Sequence, residues 1–194
     1  MKHSSTRQLF DYWNERRGRR SVPERSEIDP NGIRGVLADT FILTFEPGAG
    51  HPFRIAGTRV CALFGHELKG EAFLDLWSRA ARCELQNLLA IVAGETVGVV
   101  ASAERASAAH LNSVMTTKLE LLLLPIGYEG RTDARILGAL ASIDPLNWTA
   151  TGRRCDLILG PHRYLGRTGA QLPRADHANM RDRLVVYDGG LYSH

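Results

Sequence analysis

Between Phe53 and Gly70 the chain passes straight from a strand-like pattern into glycine-punctuated helical turns, and this junction constrains the fold more than the chemistry. Phe53, Ile55 and Gly57 alternate with Arg54 and Ala56, as in a strand of period two. Val60 and Phe64 then stand four apart, as on one face of a helix. Gly65 and Gly70 fall where a turn needs a left-handed backbone that a side chain would resist.

The rest of the chain organises around that junction. Leu9 and Trp13, four apart, with Thr6, Phe10 and Arg17 on an adjoining stripe, predict an amphipathic helix from about Ser5 to Arg17, ended by Gly18. Its apolar face must be covered by the domain or by a second copy of the chain. Pro23 and Pro30 bracket a linker, and Asp29-Pro30 reads as an N-cap with proline at the first helical position of a short helix through Val36. Thr40–Glu46 is β-branched and aromatic, and Pro47–Gly50 turns it back into His51–Ala56 as a hairpin. Helical turns over Thr58–Phe64, Ala72–Trp77 and about Arg79–Ala93 follow, the last stopped by Gly94. Strands are expected at Thr96–Glu104, Val114–Leu124 and Arg135–Ile143, with Pro125, Gly127 and Gly130 breaking the chain between the last two. The order predicts an α+β fold, a five-stranded antiparallel sheet covered on one face by short helices. The expected division is residues 1–36 for the first helix and linker, 37–146 for the core and 147–194 for an extension in which Leu157–Leu159 and Val185–Tyr187 are too short to assign.

Tyr12-Trp13, Arg20, Pro23, Arg25, Asp29-Pro30, Arg54, Gly57-Thr58, Phe64-Gly65, Leu68, Gly70 and Trp77 fall into a pattern over roughly residues 7 to 166 that resembles the PAS_5 family of PAS-domain proteins, found mainly in alphaproteobacteria. The resemblance implies a PAS-like core, which encloses a pocket between a sheet and short helices, and a role in sensing a small molecule or another signal. It implies no particular ligand, and no cofactor is assigned.

Composition excludes several classes. At 194 residues the chain suffices for one domain with a short appendage and a sizeable core. Apolar runs such as Leu119–Leu124 are too short to span a bilayer, and polar residues follow Lys2 where a signal peptide would carry an apolar stretch, so a cytoplasmic protein is expected. Cys61, Cys83 and Cys155 are scattered and odd in number, which argues against a disulfide framework or a structural zinc site. The net charge of +3 is modest. Arg16, Arg17, Arg19 and Arg20 form a basic cluster able to meet phosphates or acidic partners, but a basic last turn also complements the helix dipole, and nucleic-acid binding is disfavoured.

Catalytic signatures are sparse. His66-Glu67 opens like a zinc-protease motif, but Gly70 occupies the place of the second histidine. Gly48-Ala-Gly50 leads into Pro52 and Phe53 rather than a helix, which makes it a turn and not a dinucleotide cradle. No phosphate-binding loop and no Gly-x-Ser-x-Gly elbow occurs. His66 and His110 read as surface or loop residues in preference to haem ligands, and Cys61 lacks the context of a flavin photosensor. No enzyme is expected.

Arg54 on its strand and Thr58-Arg59 at the start of the next helix are the polar set able to hold an anion. The competing and favoured assignment is an arginine paired with Asp75 or another acid to fix helices on the sheet. Phe64, Phe73, Trp77 and Met115 join Ile55, Val60, Leu88 and Leu119 as apolar candidates for either a pocket lining or a closed core, which share one sequence signature. Two readings follow: a sensory domain that binds a small molecule and dimerises through Leu9, Phe10 and Trp13, and an adaptor with a solid core that captures a protein partner through the same helix.

Overall fold

The computed structural model describes residues 1–108, 114–143 and 156–165. Its elements are α1 (Ser4–Arg17), β1 (Thr40–Thr44), β2 (Phe53–Ala56), α2 (Thr58–Phe64), α3 (Arg79–Glu95), β3 (Gly98–Ala108), β4 (Val114–Tyr128), β5 (Arg131–Ser142) and β6 (Leu157–Leu165), with short 3₁₀ turns between them. The strands form one sheet in the order β2-β1-β5-β4-β3-β6, every named pair antiparallel. The first five strands and the helical segments stand where the sequence predicts them.

Four features differ from expectation. β6 is a sixth strand: Leu157–Leu165 pairs with β3 and continues the sheet into the segment expected as an extension. β4 runs on through Pro125, which faces Ile136 of β5, and the reversal comes at Glu129 and Gly130, both with positive φ. Proline is tolerated there because β3 pairs with β4 no further than Leu123, so one side of the strand needs no donor. α3 continues past Gly94 to Glu95 and closes on Thr96 in the left-handed conformation, φ 55°.

The fourth feature adds to the expected architecture: short helices cover one face as predicted, and α1 covers the other. The sheet is covered on both faces. On one face α2, α3 and the turn Phe73–Leu76 bury Leu43, Phe53, Val60, Leu85, Leu89, Leu119, Leu121 and Leu123 in one cluster. On the other, α1 buries Leu9 and Trp13 against Ile42, Val100, Leu122, Leu124, Leu137 and Ala139. Successive side chains of a strand point to opposite faces, so a strand buried on both sides loses its alternation and becomes a continuous apolar run. Leu121–Leu124, all fully buried, is that run.

The covering of α1's apolar face is therefore internal. Leu9 is 0% and Trp13 2% exposed within the single chain, and only Phe10 remains half-buried at the margin, stacked 6.0 Å from Trp13. Trp13 Nε1 donates to the Pro125 carbonyl oxygen at 2.8 Å, which fixes the C-terminal part of the helix to the sheet. A dimer built on Leu9 and Trp13 would first have to undock the helix.

Candidate functional site

The expected site residues fall into separate groups: Phe64, Phe73 and Trp77 share the helical-layer core, while Arg54, Thr58 and Arg59 stand at its edge. Phe73 and Trp77 belong to an aromatic cluster with Phe41 and Phe53, ring centroids 5.4 to 5.7 Å apart, beneath the helices. All four are at most 2% exposed, and Phe64 is buried in the same layer. Arg54 and Thr58 are exposed at the β2 edge, and Met115 lies on β4 with its side chain outside the described residues, as is His110 altogether. Ile55, expected in the apolar set, is 51% exposed, because β1 and β2 slip register between Ile42 and Leu43.

Arg59 makes an ion pair of the favoured kind, and its acid is Asp39. Its Nε and Nη2 meet Asp39 Oδ1 and Oδ2 at 2.6 and 2.7 Å in a bidentate fork. Asp39, 4% exposed, sits in the 3₁₀ turn Leu37–Asp39 ahead of β1 and also accepts from Ser5 Oγ of α1 at 2.6 Å. One carboxylate thus ties α1 and α2 to the start of the sheet. Burial alone would raise its pKa, but the Arg59 and Ser5 hydrogen bonds outweigh that cost and hold it below the usual carboxylate range. Asp75 pairs with Arg82 instead, at 3.1 Å on the surface.

A second carboxylate anchors the same helix. Glu120, the one charged residue in the run Leu119–Leu124, points to the α1 face and is 5% exposed. It accepts from the Lys2 and His3 backbone N–H groups at 2.6 and 3.0 Å and from the Thr6 hydroxyl. A helix start offers unpaired N–H groups and positive potential, and Glu120 supplies the anion from the sheet. Burial opposes its ionisation, yet the bonds from Thr6, His3 and Lys2 leave its pKa lowered. Sequence reasoning missed Asp39 and Glu120, although a lone acid inside an apolar strand was a visible signal for the latter.

Two buried donors have no hydrogen-bond partner among the described residues: Trp77 Nε1 and His51 Nε2. His51 is 0% exposed, takes φ 62°, and accepts through Nδ1 from the Glu46 N–H at 3.3 Å, which leaves its proton on Nε2. Burial pulls its pKa down to about 4. Among the described residues no cluster of metal-ligating side chains occurs, and no helix is long and apolar enough to cross a membrane.

The outer surface of α1 carries a third arrangement. The Arg16 guanidinium lies over the Tyr12 ring and that of Arg17 over the Trp13 ring, 5.0 and 4.9 Å from the centroids. Arg17 also donates to Asn14 Oδ1, and Arg20 pairs with Glu27 at 2.8 Å. Arg19 is exposed beside them.

No curated protein matches the chain. A family model described as PAS domain, PAS_5, matches residues 1–141, which span the three α-helices, β1 to β4 and all but the last residue of β5. The order β2-β1-β5-β4-β3 with helices between the second and third strands agrees with that match. The chain belongs to the PAS_5 family of PAS domains, a class of sensory and regulatory modules.

Proposed function

We propose that this PAS domain is a cytoplasmic regulatory module that signals through protein contacts, made by the outer surface of α1 with an acidic partner. The supporting observation is the packing of the helical layer. Trp77, Phe41, Phe53, Phe73, Leu85, Leu89, Leu119 and Leu121 are each at most 2% exposed and belong to one cluster, the packing expected of a closed core. Recognition then falls to the surface, where Phe10 gives a half-buried aromatic and Arg16 and Arg19 give cations without an ion pair among the described residues. A guanidinium stacked on an aromatic ring is pre-oriented, so less freedom is lost when its edge meets a carboxylate.

The test uses Phe10→Ala, at the margin of the α1 core, and the double change Arg16→Glu/Arg19→Glu on the exposed surface. Quantitative affinity capture from the native host should lose its specific partners with both variants while circular dichroism and melting temperature stay near wild type. Retention of every partner overturns the proposal. Light scattering at micromolar concentration establishes whether the partner is a second copy.

A second reading has one observation in its favour. The orphaned Trp77 Nε1 donor in the helical layer would suit a small guest bearing an acceptor oxygen. Mass spectrometry of native protein from its host decides between the two: a stoichiometric bound compound supports the guest and contradicts the solid interior.

A further inference from the structure

On the α1 face of the sheet, beyond the start of the helix, lies a pocket of about 380 Å³. Lys2, Ser102, Glu120, Ile143, Pro161 and Arg163 line it, from the chain ahead of α1 and from β3, β4, the end of β5 and β6. Its size is within the range of small-molecule sites.

A β-bulge builds it. Ala101 pairs with His162 and Ala103 with Leu159, so Gly160 and Pro161 together oppose Ser102 alone. Ser102 Oγ donates to the Pro161 carbonyl oxygen at 3.1 Å, and a Cβ on Gly160 would stand 2.6 Å from that hydroxyl, so a larger residue there would have to displace it. The extra residue changes the parity of β6. Before the bulge Leu157 and Leu159 face the helical layer, and after it His162, 3.4 Å from Glu84 of α3, and Tyr164 do. Arg163 is thereby turned to the α1 face, beside Leu165, which packs on the other core. Without the bulge, alternation would aim Arg163 at α3.

The charges inside are unequal in availability. Both oxygens of Glu120 are already engaged by Lys2 N–H, His3 N–H and Thr6. The Lys2 ammonium and the Arg163 guanidinium are exposed and make no ion pair among the described residues. A cationic ligand would meet two open cations and a saturated carboxylate. An anion finds the reverse, and the planar fork of Arg163 matches a carboxylate with two parallel hydrogen bonds. The fixed charge of Glu120 penalises a second negative charge, while Val100, Ile143 and Pro161 offer apolar wall.

We propose that this pocket binds a small organic monocarboxylate, its carboxylate on Arg163 with Lys2 alongside and its hydrocarbon part on Val100 and Ile143. The site goes beyond the partner contacts proposed above, since it is at the opposite end of α1 from the arginine cluster.

Butanoate, inorganic phosphate and butylammonium are the probes, each titrated into the full ¹⁵N-labelled chain and followed by amide shifts at constant ionic strength. Butanoate should give saturable shifts at Lys2, Ser102 and Arg163 with a Kd on the order of 1 mM or tighter. Arg163→Ala should raise that Kd by about tenfold or more, and Arg163→Lys, which keeps the charge and loses the fork, should fall between. Arg163 is exposed, so both variants fold, and an unchanged spectrum away from the pocket verifies it. Absence of saturable shifts with butanoate, equal or tighter binding of phosphate or butylammonium at those amides, or unaltered affinity in Arg163→Ala each overturns the proposal. None of these results bears on the Phe10 and Arg19 variants, so the two readings fail separately.

Discussion

Acidification from pH 7.5 to 5 should destabilise this domain through one buried imidazole. His51 is fully enclosed and its folded pKa is about 4 against an ordinary 6.5. The folded pKa is the lower one, so below 6.5 the unfolded chain takes up a proton that the native state refuses. Stability is complete above about pH 6.5 and falls as pH drops toward 4. Each pH unit inside that window is worth about 1.4 kcal/mol, so pH 5 should cost about 2 kcal/mol relative to pH 7.5, a large fraction of a total of roughly 5–15 kcal/mol. Urea denaturation followed by circular dichroism measures this directly. The control is His51→Asn, because asparagine tolerates the φ of 62° and does not titrate. The variant should be less stable at pH 7.5, having lost the ring against Phe45 at 5.0 Å, but its deficit should shrink by about 2 kcal/mol at pH 5. A constant difference between wild type and variant across this range would refute the burial of a neutral histidine.

Asp39 and Glu120 have lowered folded pKa values, so their stabilisation is present above the ordinary carboxylate range and lost as pH falls through the folded values; below about pH 4 the start of α1 should lose its anchors, visible as new amide exchange at Ser5 and Thr6. Trp13→Ala removes a buried indole and its bond to Pro125 and should cost about 3–5 kcal/mol in global denaturation, whereas Trp13→Phe should cost less; a loss below about 1 kcal/mol for alanine would mean that α1 is a loose appendage. Gly138→Ala on β5 should destabilise by about 1–3 kcal/mol or more, because its Cβ would stand 2.2 Å from the Phe41 ring, and Gly138→Ala with Phe41→Leu should recover part of the loss in the same assay.

Local patterns made most of this fold legible. The strand-to-helix junction at Phe53–Gly70 and the spacing of Leu9 and Trp13 are set by neighbours along the chain, and the structure keeps both. What escaped depends on contacts distant in sequence. β6 looked like a three-residue apolar fragment because Gly160-Pro161 interrupts it, and glycine and proline are the residues a bulge selects. The second covered face was written in Leu119–Leu124, where the missing alternation signals burial on both sides, but the same run suits any buried strand. Spacing points to an arginine paired with an acid but selects neither Arg54 nor Arg59, nor the acid: Asp39 is 20 residues before Arg59, and Asp75 is nearer in sequence. Phe73 and Trp77 illustrate the remaining limit, since a ligand-lining aromatic and a packed one obey the same periodicity.

The docking of α1 on the sheet underlies the two buried faces of the core, the surface proposed for a partner and the pocket at the helix start. Native-state amide hydrogen exchange over Leu9–Trp13 tests it most directly, with β4 and β5 as the internal standard. Protection of those amides within about tenfold of the central strands is the expected result, since opening the helix would expose Leu9 and Trp13 together. Exchange near the rate of an unstructured peptide, with β4 and β5 still protected, would contradict the account.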